Sequence, residues 1–350
     1  MTADPTSETE MSLLDGLIVD GSRGQYRVET AAGALTCTIR GRLRKHMQFP
    51  TSASGRKGVQ KVTVKGHDPV AVGDRVRVLP TGGATGVIEA VIARAGGAFA
   101  RDDPDQGKGR LTSVAGIEQV VAVFAARDPE PHLRMLDRFL VLAESQSLTA
   151  LICLNKVDLG IAPWLAERLS VYRAAGYAVI EASAELGLGV EDLRARLAGR
   201  VSALMGPSGV GKSSLLNALE PELGLRVSAI GATTHKGRHT TTGTRLVPLA
   251  GPRGGAIADT AGIRALALDD AARKSLARWF PEFRPYLRQC RFGTCAHLRE
   301  PDCAIKAAVA AGRIDRERYE SYARMSNHWA DVTLADWERE ENGPLPQPLP

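Results

Sequence analysis

A phosphate-binding loop, Gly206-Pro207-Ser208-Gly209-Val210-Gly211-Lys212-Ser213, stands in the second half of this chain, and the tetrad that reads a guanine base, Asn155-Lys156-Val157-Asp158, comes before it. Each motif needs a strand that ends at one edge of a parallel sheet. In an ordinary guanine-nucleotide-binding domain the base reader follows the phosphate loop. The reversed order restricts the fold to an α/β nucleotide-binding domain whose core is circularly permuted. Permutation is physically harmless, because the loops all meet at one sheet edge and moving the chain ends changes connectivity without changing the site.

The residue types follow from the chemistry. Backbone N–H groups of the loop must turn inward around phosphate oxygens, and a Cβ at the glycine positions would clash. Lys212 then reaches the β- and γ-phosphates, and Ser213 ligates Mg²⁺ at the start of a helix running through Ser214-Leu215-Leu216-Asn217-Ala218-Leu219. Asn155 and Asp158 select guanine, because a carboxylate can accept both the ring N1–H and the exocyclic amine. Adenine would leave that acceptor unpaired. Ser183-Ala184 supplies the backbone partner of the guanine oxygen. Asp259-Thr260-Ala261-Gly262, after the short apolar run Ala256-Ile257-Ala258, fits the DxxG element: the Asp259 carboxylate holds Mg²⁺ and the Gly262 N–H senses the γ-phosphate.

One usual part is missing. Ile263 follows Gly262 where small GTPases carry the glutamine that orients the attacking water, and an isoleucine cannot do that job. The loop Lys236-Gly237-Arg238-His239-Thr240-Thr241-Thr242 offers substitutes. Thr241 or Thr242 would complete the Mg²⁺ shell, and His239 would position the water or take its proton. The competing reading makes His239 an exposed loop histidine.

Around these motifs the pattern changes along the chain. Residues 1–16 are polar and read as a disordered N-terminus. Residues 17–101 carry short alternating runs broken by glycine, which predict a small closed β-barrel of the OB type. Its Arg40-Gly41-Arg42-Leu43-Arg44-Lys45-His46 segment, with Arg56, Lys57, Lys61 and Lys65, reads equally as a solvated loop or as an RNA contact. Residues 102–112 read as a linker. Residues 113–275 alternate apolar strands with helical spacing, a doubly wound sheet with every motif at the carboxyl end of a strand. Residues 276–340 form a C-terminal, mostly helical domain, and the proline-rich 341–350 reads as a disordered tail.

A net charge of +6 on 350 residues is a weak pointer toward an anionic partner. The polar, acidic start and the lack of a long apolar run predict a cytoplasmic protein with no membrane segment. In a reducing compartment clustered cysteines point to metal rather than disulfides. Cys290, Cys295, His297 and Cys303, spaced C-x4-C-x-H-x5-C, can close a tetrahedron around Zn²⁺ with no open position, hence a structural site.

A basic OB-like barrel, guanine motifs in permuted order, a Cys3His knuckle and a terminal helix together resemble the ribosome small-subunit-dependent GTPase A family of bacteria. The resemblance covers about Leu17 to Trp337 and includes Val72-Gly73-Asp74, Leu136-Asp137-Arg138-Phe139-Leu140, Gly206 to Ser214, Gly237 to Thr242 and the four metal ligands. Pro207 stands where glutamine is common, and Thr260-Ala261 where Ser-Pro is common. The resemblance implies a GTPase stimulated by the 30S ribosomal subunit, binding 16S rRNA, GTP and GDP, and acting late in small-subunit maturation as a monomer. Other assembly factors are further partners it allows. It also implies one structural Zn²⁺, a Mg²⁺ with the nucleotide, and His239 as the catalytic residue. The alternative is a GTP-gated RNA-binding module that releases its partner without turnover. A P-loop kinase or ATPase with an unrelated metal domain is disfavoured by Asn155 and Asp158.

Overall fold

The computed structural model describes residues 12–22, 24–41, 43, 70–92, 97–102, 110–223, 246–250, 254–258 and 275–328. The chain divides into two compact units, with the first boundary between Gly116 and Ile117.

In the first unit, β1 (Leu14–Ser22), β2 (Gln25–Thr30), β3 (Gly33–Ile39), β4 (Arg75–Gly82) and β5 (Thr85–Val91) close into a barrel of order β1-β2-β3-β5-β4. β1 pairs with β4 to complete the ring, and β3 pairs with β5 in parallel, which is the OB arrangement expected from the strand spacing. Alternation does the sorting: Tyr26 and Val28 on β2, Cys37 and Ile39 on β3, and Val76 and Val78 on β4 point into the barrel. Burial pushes the Cys37 thiol up to about 11, which suits an inert core residue. Gly73 is glycine because the backbone comes too close for anything else: a Cβ there would lie 2.0 Å from the Ala115 carbonyl oxygen. Its neighbour Asp74, 1% exposed, accepts from the Ala71 N–H at 2.8 Å and fixes the turn into β4.

Two expectations shift at the edges of this unit. β1 begins at Leu14, inside the segment read as unstructured. β6 (Gly97–Asp102) and β7 (Arg110–Ile117) pair as a two-stranded sheet across the stretch read as a linker. Glycine, aspartate and proline are common between paired strands as well as in linkers, so composition alone does not separate the two. The basic residues Arg44 to Lys65 lie outside the described residues.

A six-stranded sheet has the order β10-β9-β8-β11-β13-β12; β8 (Gln119–Ala125), β9 (Thr149–Asn155), β10 (Ala178–Glu181), β11 (Val201–Met205) and β13 (Ala256–Ala258) belong to the second unit, and β12 (Leu246–Pro248) falls within the first. The pairs β10–β9, β9–β8, β8–β11 and β11–β13 are parallel. Every residue of β8 and β11 is buried, as a central parallel strand covered on both faces requires. Helices α1 (Leu133–Ser145) and α2 (Pro163–Ala174) precede and follow β9, and α3 (Val190–Leu197) and α4 (Lys212–Leu219) flank β11 in sequence. Leu193 and Leu197 of α3 and Leu215, Leu216 and Leu219 of α4 join Val121, Val123, Leu151, Cys153, Leu204 and Ile257 in one apolar core. Each such side chain contributes about 1.5–3 kcal/mol when removed from water.

After the sheet come two 3₁₀ segments, Leu276–Trp279 and Pro281–Tyr286, then α5 (Ala304–Ala310) and α6 (Arg316–His328). Phe280 and Phe283 stack at 5.0 Å between ring centroids, and Tyr322 meets both edge-on. This aromatic group is small, and the neighbouring loop 290–303 carries the cysteine cluster.

Candidate nucleotide site and metal cluster

β9 and β11 flank β8, and both end at the carboxyl edge of the sheet. From β11 the chain enters the loop Gly206–Gly211, and α4 starts at Lys212. A Cβ on Gly206 would sit 2.1 Å from the Val123 carbonyl oxygen, so the loop crosses the end of β8 in contact with its backbone. Lys212 Nζ donates to the carbonyls of Gly206 at 2.9 Å and Pro207 at 2.7 Å, which folds the lysine back over the loop it serves. Ser213 and Ser214 open the first turn of α4, with their backbone N–H groups at the positive end of the helix dipole.

Asn155, 1% exposed, is the residue that joins the loops. Its Nδ2 donates to the Val210 carbonyl at 2.9 Å, and its Oδ1 accepts from the Ala184 N–H at 3.1 Å. The same amide explains Gly211, whose φ is 91° and whose Cβ would fall 2.3 Å from Asn155 Nδ2. Ser183 is fully buried; its Oγ accepts from the Leu186 N–H at 3.1 Å, and its own N–H donates to the Leu188 carbonyl at 2.9 Å. Its side chain thus shapes the turn that presents Ala184. Lys156 sits at φ 61° and hydrogen-bonds the Asp128 carbonyl through Nζ. Val157 and Asp158 begin a short 3₁₀ turn, and Asp158 is exposed. So the three sequence motifs on described residues converge, held by one buried amide. Asp259, Gly262, Ile263, His239, Thr241 and Thr242 lie outside the described residues.

Sequence reasoning assigned Asn155 to the base and missed its second task. Its partners are backbone groups, and backbone groups leave no residue signature. Gly211 was read as one more phosphate-loop glycine, whereas its neighbour here is a side chain.

The second site lies in loop 290–303. The ligand atoms of Cys290, Cys295, His297 and Cys303 all fall within 4.8 Å of one another. His297 Nδ1 is 3.5 Å from both Cys290 Sγ and Cys303 Sγ, and those two sulfurs are 3.9 Å apart. Burial lowers the pKa of His297, which keeps the imidazole neutral and able to donate a lone pair. The Glu300 carboxylate accepts from the N–H groups of Ala296, Leu298 and Arg299 at 2.9, 3.0 and 3.1 Å. These backbone donors hold its carboxyl down at about 2. One acid therefore organises the turn that carries His297. Three sulfurs and a nitrogen, closed and half-buried, could hold a metal ion with no coordination position left for substrate.

A parallel sheet with the base reader upstream of the phosphate loop, a five-stranded barrel before it and a Cys3His cluster after it, defines a circularly permuted GTPase. The RsgA GTPase family profile matches residues 98–269. The small ribosomal subunit biogenesis GTPase RsgA of Gemmatimonas aurantiaca is 43% identical over 313 residues, 89% of this chain and 95% of that protein. The crystal structure of YjeQ from Thermotoga maritima aligns with a TM-score of 0.68 and 31% identity, over 90% of this chain and 98% of that one. YloQ, a circularly permuted GTPase, aligns with a TM-score of 0.65 and 26% identity over 92% and 96%. The chain belongs to the RsgA GTPase family and is a GTPase. No described helix is long and apolar enough to cross a membrane.

Proposed function

We propose that this GTPase acts in late maturation of the small ribosomal subunit, binding 16S rRNA and hydrolysing GTP faster when the 30S subunit is present. The relatives' name, small ribosomal subunit biogenesis GTPase, supports the partner, and the OB-type barrel is a fold that suits an RNA strand. The observation that carries the nucleotide reading is the Asn155 amide, hydrogen-bonded at once to the phosphate loop and to Ala184. Asp158 takes the guanine N1–H and amine, and the Ser183-Ala184 turn, whose Ala184 N–H donates to Asn155 Oδ1 in this structure, is the one the guanine oxygen would face. Gly206 to Ser214 wrap the phosphates with Lys212 as counter-charge. Ser213, Asp259 and Thr241 or Thr242 would hold a Mg²⁺, which would supply positive charge against the phosphates. Ile263 leaves the attacking water to His239.

The metal of the loop is Zn²⁺ in this reading. Bonds of about 2.3 Å to sulfur and 2.05 Å to nitrogen give tetrahedral edges of about 3.8 Å for S···S and about 3.5 Å for S···N. The separations among Cys290, Cys303 and His297, 3.9 and 3.5 Å, lie close to both, and Cys295 Sγ lies within 4.8 Å of the other three ligand atoms. Such an ion pins the loop and adds its binding free energy to folding.

Multiple-turnover hydrolysis with and without purified 30S subunits tests the reading. Stimulation in the wild type that is lost in Asp158→Asn supports it. Tight GTP-dependent binding to 30S without any acceleration would instead make the protein a nucleotide-gated RNA-binding module.

A further inference from the structure

Arg318 on α6 is 0% exposed, although α6 is rich in polar residues. Its guanidinium donates to Asp137 of α1 at 2.6 Å and to Glu282 at 2.7 and 3.2 Å, and it lies 4.7 Å from the Phe280 ring centroid. Asp137 is buried too and accepts a second hydrogen bond, at 2.7 Å, from the Tyr172 hydroxyl of α2. One residue before α6, Asp315 takes two guanidinium nitrogens of Arg168, also on α2, at 2.8 and 2.7 Å. A single turn at the start of α6 is therefore ion-paired to both helices that border β9, the strand ending in Asn155.

The same helix holds the metal loop. The Tyr319 hydroxyl donates to the His297 carbonyl at 2.8 Å, and the Tyr322 hydroxyl donates to the Ala296 carbonyl at 2.6 Å. His297 is a ligand candidate and Ala296 its neighbour, so the shape of the loop and the position of α6 depend on each other. A buried charge network is poor evidence for stability, because an apolar replacement of similar volume often does as well. What it does provide is one allowed geometry: Arg318, Asp137, Glu282 and Tyr172 satisfy one another in a single arrangement.

We infer that Arg318 is a positioning residue that couples the metal loop to the base-reading loop. The ion fixes loop 290–303, the loop fixes α6 through the two tyrosines, and α6 fixes α1 and α2 through Arg318 and Asp315. α2 begins at Pro163, shortly after Asp158. Metal loading and guanine-nucleotide affinity are then linked, which rests on the base-reading role given above to Asn155 and Asp158. Linkage is reciprocal: if the ion strengthens GDP binding by some factor, GDP strengthens ion binding by the same factor.

The test uses the full chain loaded with Zn²⁺. Zinc affinity is measured by competition with a chromogenic chelator, without nucleotide and at saturating GDP, and the GDP Kd is measured on zinc-loaded and zinc-depleted protein. Both ratios should agree at about five- to tenfold, toward the lower end of measured couplings. In Arg318→Met, which keeps a long stem but removes the ion pairs, zinc and GDP should each still bind while both ratios fall toward one. Arg318→Lys restores the charge without the fork and should recover part of the coupling. If Arg318→Met does not fold, Arg168→Gln, at the less buried of the two ion pairs, should lower the ratios. Wild-type ratios of one, or ratios undiminished in Arg318→Met and Arg168→Gln, overturn the inference. A wild type that binds zinc but no GDP would refute the base-reading assignment instead.

Discussion

Replacing Asn155 tests the convergence of the loops directly. Asn155→Ala removes one donor and one acceptor, leaving the Val210 carbonyl and the Ala184 N–H without partners. Val210 is 1% exposed, so its carbonyl bears most of the cost of an unmade buried bond, about 1–3 kcal/mol. Ala184 is only partly buried and water can serve its N–H, so that bond is worth about 0.5–1.5 kcal/mol. The expected loss is about 1.5–4.5 kcal/mol, or about 3–18 °C in Tm for a unit of this size. GDP affinity should fall at least about tenfold, since the base loop and the phosphate loop lose their mutual support. Asn155→Asp separates the two bonds. Its carboxylate still accepts from Ala184 but points an oxygen at the Val210 carbonyl, so at pH 7 it should be at least as unstable as the alanine variant. It should recover partly at acid pH, when a protonated carboxyl can donate again. Thermal unfolding and fluorescent-GDP titration of the free chain read both effects. A Tm for Asn155→Ala within about 1 °C of wild type would refute the bridging argument.

Asp158→Asn should lower GTP affinity at least about tenfold in equilibrium titration while leaving Tm unchanged, because the carboxylate is exposed. Gly211→Ala should abolish nucleotide binding with the chain still folded, since its methyl would displace the Asn155 amide 2.3 Å away; retained binding would count against the stated contact. Cys295→Ala should lower bound metal by elemental analysis and destabilise the C-terminal segment. His239→Ala should keep GTP and 30S binding but lose about 10²–10⁴-fold of stimulated turnover; equal stimulated kcat would remove His239 from the mechanism. The Glu300 carboxyl, down from 4.5 to about 2 in the folded loop, contributes stability that is fully present above about pH 4.5 and lost as pH falls toward 2. Glu300→Gln should therefore weaken the loop at neutral pH and flatten the acid limb of its unfolding profile.

The parts legible in the sequence were those whose signal is local. An apolar run leading into GxxxxGKS, another leading into NKxD, and four ligands within a short loop each announce their own geometry. β9 and β11 end at Asn155 and Met205, so the base reader and the phosphate loop do sit at the carboxyl ends of strands. The pairing of β6 with β7 was not legible, because the composition between them is that of a linker. Arg318 was not legible either. In a helix of alternating charges an arginine reads as a solvated residue, and only the approach of Asp137 and Glu282, far away in sequence, makes burial tolerable. The basic barrel loop from Arg44 onward, the DxxG element and the Lys236–Thr242 loop lie outside the described residues.

The sheet order β10-β9-β8-β11-β13-β12 puts the whole of one half, β8 to β10, earlier in the chain than any strand of the other. On an elongating polypeptide, strands 119–181 with α1 and α2 can pair and pack as a consecutive β-α-β-α-β unit before β11 has been made. That half then carries Asn155 and Asp158 but neither the Val210 carbonyl that holds Asn155 nor a phosphate clamp. The free edge of β8, whose seven residues are all buried in the native sheet, stays open until Val201–Met205 docks on it. The carbonyl that Asn155 needs, that of Val210, is translated five residues after β11 ends. Nucleotide therefore cannot template the first half. Docking of β11 covers the edge and delivers the phosphate loop in one event, so capacity to bind guanine nucleotide arises only once the vulnerable edge is gone.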